Sequence, residues 1–76
     1  MNNLLSRITT DPDLCGGRPT IRGMRIRVVD VLDLLSNGLT PEQIITELPY
    51  LELDDIKASL KYASLKFDHP VINFNS

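Results

Sequence analysis

Apolar side chains recur at helical spacing over most of the second half of this chain, and each run is closed by a stop signal. From Val28 to Asn37, Val31, Leu32, Leu34 and Leu35 fall on one side of a helix and Asp30 and Asp33 on the other. Asn37-Gly38 ends that run, because Gly38 can take the left-handed conformation a helix terminus asks for. A second helix has a sharper start. Thr40 stands at the N-cap, Pro41 at the first helical position and Gln43 where a capping box needs it, with Leu39 and Ile44 spaced as a hydrophobic staple. Ile44, Ile45 and Leu48 form its apolar side, and Pro49 ends it near Leu48 by pushing the preceding residue out of the helical region. After the turn Pro49-Tyr50-Leu51, Leu53, Ile56, Leu60, Ala63 and Phe67 predict a third helix from about Leu53 to Phe67, with those five residues as its core stripe. His69-Pro70 stops it.

The first third has a different rhythm. Met1 to Arg7 reads as a flexible end, Ile8-Thr9 as a short strand, Asp11-Pro12-Asp13 as a turn and Cys15-Gly16-Gly17 as a bend. Thr20 to Arg27 reads as a tight β-hairpin. Gly23 at the first central position suits a type II′ turn. In that register Arg22 faces Arg25, Ile21 faces Ile26 and Thr20 faces Arg27. The expected fold is mainly α: a three-helix, homeodomain-like helix-turn-helix bundle with a short N-terminal β-hairpin. One such domain spans residues 8–69, between a flexible end at 1–7 and a tail at 70–76.

Composition narrows the function classes. The chain has 76 residues, 42% of them hydrophobic and 24% charged, as in an ordinary globular domain. Its expected stability is roughly 4–11 kcal/mol. The single Cys15 cannot form an internal disulfide, and one cysteine with one histidine is too few for a usual structural zinc site. No segment approaches the ~20 apolar residues of a membrane span, and Met1 to Arg7 lacks the pattern of a secretion signal. A cytoplasmic protein is expected.

Charge is placed unevenly. Residues 1–27 carry five arginines against two aspartates, and residues 28–76 three lysines against eight carboxylates. The whole is a poor candidate for strong nucleic-acid binding, and its first third a better one. Arg22 and Arg25, set opposite each other, call for something anionic: a carboxylate from the acidic half, a partner protein or a phosphate. Internal pairing and plain solvation remain the alternatives. On the third helix, Lys57 and Lys61 lie one turn apart and could meet phosphates. Glu52, Asp54 and Asp55, however, crowd the end that a helix-turn-helix normally sends into the major groove.

The run Gly16-Gly17-Arg18-Pro19-Thr20-Ile21-Arg22-Gly23-Met24-Arg25-Ile26-Arg27-Val28 resembles the signature of the domain of unknown function 433 family. So do Gly38-Leu39-Thr40-Pro41-Glu42-Gln43-Ile44, Leu48-Pro49-Tyr50-Leu51, Asp54-Asp55-Ile56 and Leu60-Lys61-Tyr62-Ala63. Met24 stands where that family usually has Thr, and Glu52 where Thr or Ser would cap the third helix. The resemblance implies a homeodomain-like fold and a VapB-like antitoxin that binds a PIN-like ribonuclease toxin. It also implies possible repression at operator DNA.

Candidate DNA contacts are Arg22, Arg25, Arg27, Lys57 and Lys61. Candidate toxin contacts are Arg18, Arg22, Arg25, Leu65, Ile72 and Phe74. The alternatives are a stand-alone dimeric DNA-binding regulator and a non-catalytic interaction module. No enzyme is expected, because no constellation joins a base, a nucleophile and an oxyanion site. His69 has no nucleophile beside it, Asp11 and Asp13 read as turn formers, and Gly16-Gly17-Arg18-Pro19 lacks the ending of a phosphate loop. No cofactor, metal, membrane or small-molecule substrate is expected, and a homodimer is possible.

Overall fold

In the computed structural model, which describes residues 3–67, helix formation follows the stop and start signals closely. Strands β1 (Ile8–Thr9) and β2 (Thr20–Ile21) precede helices α1 (Val28–Ser36), α2 (Pro41–Glu47) and α3 (Leu53–Phe67). Short 3₁₀ turns lie at Leu4–Arg7 and Cys15–Gly17. The domain is mainly helical, with the helix-turn-helix order expected of it.

Each helix start has a visible cause. At α2 the capping box is complete: the Gln43 backbone N–H donates to Thr40 Oγ1 (3.1 Å) and the Thr40 N–H to Gln43 Oε1 (2.8 Å). At α1 the Arg27 N–H donates to Asp30 Oδ2 (2.9 Å), and at α3 the Glu52 N–H donates to Asp55 Oδ2 (2.8 Å). In both, a carboxylate three positions into the helix reaches back to a residue that is itself a poor cap. It satisfies a backbone donor and sits favourably on the helix dipole. Gly38, at φ +94°, closes α1 as expected.

The β element pairs differently from expectation. β2 lies antiparallel to β1, with Ile8 opposite Ile21 and Thr9 opposite Thr20. The expected opposition of Thr20 and Arg27 is present, and the Ile21 N–H donates to Ile26 O (2.9 Å). The reversal is nevertheless one residue earlier than a type II′ turn at Gly23. The Met24 N–H donates to Ile21 O (2.8 Å), and Arg22 (φ +48°) and Gly23 (φ +73°) both have the positive φ of type I′ central residues. Arg22 is therefore a turn residue, and does not face Arg25 across a ladder. Left-handed backbone at a non-glycine is strained. Arg22 is held there by its side-chain contacts, described below.

The buried core is Ile21, Val28, Val31, Ile44, Leu51 and Ile56, joined by partly buried residues that include Ile8, Leu39, Leu48 and Tyr62. Leu4 to Arg7, expected as a flexible end, instead form a turn against α3. Helix α3 is rolled away from its expected orientation. Ile56 faces the core as expected, but Asp55, Ala58 and Ser59 are buried beside it, while Leu53, Leu60 and Phe67 of the expected stripe are exposed. The roll follows from Asp55, whose carboxylate is drawn inward by two arginines. Ser59 turns with it and satisfies its hydroxyl on Asp55 O (3.0 Å). Among the described residues no helix is long and apolar enough to cross a membrane.

Candidate interaction surface

The anion called for by Arg22 comes from inside the chain, whereas Arg25 has no ion pair among the described residues. Asp55 has no exposed surface. Its Oδ1 accepts from Arg22 Nε (3.0 Å) and Arg7 Nη1 (2.9 Å), and its Oδ2 from Arg22 Nη2 (2.8 Å) and the Glu52 N–H (2.8 Å). Arg22 Nη2 also donates to Tyr50 O (2.9 Å), which ties the β turn to the loop between α2 and α3. Arg7 reaches on to Glu52 (2.8 Å) and Asp54 (3.6 Å). Two guanidinium groups and one buried carboxylate thus pin the amino-terminal turn, the β turn and the start of α3 together.

Ionisation follows this geometry. Burial is the largest single influence on Asp55 and pushes its carboxyl up. The hydrogen bonds from Arg22, the Glu52 N–H and Arg7 together outweigh it, so the carboxyl lies below its usual range. Hydrogen bonds to Glu52 and Asp55 raise Arg7, and the bond to Asp55 raises Arg22. Asp30 is likewise held low, first by its hydrogen bond from Arg27.

These pairs divide the expected site residues. Arg22 is committed to Asp55, and Arg27 to Asp30 through Nη2–Oδ1 at 2.8 Å. Arg18, Arg25, Lys57 and Lys61 are exposed, with no ion pair among the described residues. Leu65 is exposed, and Ile72 and Phe74 lie outside the described residues. Sequence reasoning did not pair Arg7 and Arg22 with Asp55. The available signal was the position of Asp55 three residues into α3, where a helix start uses an acid.

At the start of α3, Arg7 gathers Glu52 and Asp54 at the surface and Asp55 beneath it, so an exposed and a partly exposed carboxylate stand there. The outward face of α3 is of another kind. Leu53, Leu60 and Phe67 repeat every seven residues, and seven residues are close to two helical turns, so the three form one stripe. Leu60 is 48% exposed and Phe67 70%. Lys57 and Lys61 flank the stripe on one side. Large apolar residues are thus aligned on one helix and exposed among the described residues. Among the described residues no group of three or more potential ligands could hold a metal ion.

Residues 8–63 match the sequence profile of a family described as "Protein of unknown function (DUF433)". The uncharacterized protein y4eO of Sinorhizobium fredii (strain NBRC 101917 / NGR234) is 34% identical over 56 residues, which is 74% of this chain and 25% of that protein. The crystal structure of a DUF433 member protein from Anabaena variabilis ATCC 29413 superimposes with a TM-score of 0.74 at 27% identity, covering 78% of this chain and 58% of that one. The chain thus spans about a quarter of the first relative and somewhat over half of the second.

Proposed function

This chain belongs to the DUF433 family, and from that premise we propose that it is a non-catalytic protein-binding domain, the antitoxin of a type II pair that neutralises a PIN-like ribonuclease. The observation that carries the protein-binding part is the exposed stripe of Leu53, Leu60 and Phe67 on α3, edged by Lys57 and Lys61. A groove on a partner can take such a stripe at i, i+7 and i+14, in the way amphipathic helices are bound.

The charges favour an acidic partner over a second copy. Antiparallel pairing of two α3 helices about Leu60 sets the Lys57–Lys61 flank of one against the same flank of the other, and like charges there repel. A nuclease that binds its metal with a cluster of carboxylates has the opposite sign. Arg18 and Arg25, exposed and without an ion pair among the described residues, are available to meet it. Autoregulation at operator DNA is a secondary role. It would draw on Arg25, Lys57 and Lys61 in the complex, since Arg22 and Arg27 are paired within the chain.

The test is co-expression with the protein encoded by the adjacent gene, followed by size-exclusion chromatography of the wild type and of Leu60→Glu. Co-elution of the wild type and separate peaks for the variant are expected. Separate peaks for the wild type, or co-elution unaffected by a charge on the stripe, would overturn the assignment.

A further inference from the structure

A pocket of about 170 Å³ opens where the loop before β2, the start of α1 and the end of α3 meet. Val29, Leu32, Ala63 and Phe67 contribute its apolar lining, and its two charged lining residues, Arg18 and Lys66, are both cations. No carboxylate lines it among the described residues. Lys66 is partly fixed there, because its Nζ stands 5.4 Å from the centroid of the Tyr62 ring, another lining residue. Neither Arg18 nor Lys66 has an ion-pair partner among the described residues.

Size and charge together select an occupant. A cavity of about 150 Å³ is large enough for a benzene ring. Val29 and Phe67 leave much of their apolar surface in water, so covering them is favourable. Two cations without an ion pair among the described residues, beside an apolar lining, favour a carboxylate at the mouth.

We propose that this pocket receives an anchor from a partner protein: a Phe or Leu side chain inserted between α1 and α3, with an adjacent Asp or Glu carboxylate held by Arg18 and Lys66. This deepens the reading of the chain as a protein-binding domain and rests on it. It adds a second contact beside the α3 stripe, with Phe67 common to both.

The chemistry is tested on the full chain alone, with 4-phenylbutyrate as the probe and 4-phenylbutyramide as its uncharged counterpart. In an amide ¹⁵N–¹H titration at millimolar probe, shifts are expected at Val29, Leu32, Ala63 and Phe67. The acid should bind about two- to fivefold more tightly than the amide, the range set by one exposed charge pair. Arg18→Gln and Lys66→Gln, both surface changes that leave the core intact, should each remove part of that difference without affecting the amide. Equal binding of acid and amide, or shifts confined to other residues, would overturn the proposal. So would contacts from residues 71–74 into the pocket, which would give it to this chain's own carboxy-terminal segment. A negative titration leaves ribonuclease inhibition untouched, and absent inhibition leaves the titration untouched, so the two readings fail separately.

Discussion

Replacing Asp55 by Asn tests the charge cluster that orients α3. The substitution keeps the shape of the side chain but removes the negative charge that Arg22 and Arg7 share. Where one partner of a buried pair is removed and the other stranded, about 3–5 kcal/mol is lost. Here the stranded charges are not fully buried: the side chains of Arg22 and Arg7 are 37% and 24% exposed, so each can recover part of its hydration. The Asn oxygen can still accept from the Glu52 N–H or from one arginine. The expected cost of Asp55→Asn is therefore about 2–3 kcal/mol, below that range and near the upper figure for a hydrogen bond to a charged group. With a urea slope of about 1 kcal/mol/M for a domain this small, the unfolding midpoint should fall by about 2–3 M. Glu52→Gln is the control. It removes a carboxylate that also touches Arg7 but is 61% exposed, so its effect should stay within about 0.5 kcal/mol. A loss below about 1 kcal/mol for Asp55→Asn, or equal losses for the two variants, would refute the claim that the buried carboxylate holds the start of α3.

Further outcomes follow from the same structure. Because the Asp55 carboxyl is held below its usual value of 3.8, its stabilisation is complete above that pH and is lost as pH falls through the lower folded value. The thermal midpoint should hold down to about pH 5 and drop below about pH 4, with a shallower acid limb in Asp55→Asn. Thr40→Ala removes half of the α2 capping box and should cost about 1 kcal/mol in urea unfolding. Leu60→Glu, on the exposed face of α3, should change stability by under about 0.5 kcal/mol while abolishing partner capture. A variant that fails to fold would show instead that Leu60 belongs to the core.

The boundaries of the fold were legible in the sequence because they rest on local chemistry. Thr40, Pro41 and Gln43 specify a helix start without help from the rest of the chain, and Gly38 and Pro49 mark ends for backbone reasons alone. The roll of α3 was not legible, because it depends on a contact between residues 33 positions apart. Leucines at 53 and 60 and a phenylalanine at 67 look like a core stripe by spacing, and local pattern carries no information that Arg22 will draw Asp55 inward. The turn at Arg22-Gly23 escaped for a related reason. A glycine preceded by arginine suggests a turn whose first central residue is the glycine, whereas Arg22, bonded to Asp55, itself takes positive φ. The need for an anion beside the arginines was readable from the charge distribution, but its source among eight carboxylates in residues 28–76 was not. The exposed apolar stripe became visible once the roll was known, since it consists of the same residues that spacing had assigned to the interior.

The central claim is that the outward face of α3 captures and silences a ribonuclease. Its most direct test is a titration of that nuclease's activity, purified from the adjacent gene, with the wild-type chain and with Leu60→Glu. Activity should fall to background as the wild type approaches an equimolar amount and stay near its starting level with the variant. Full activity at excess wild-type chain, or equal inhibition by both, would contradict the account.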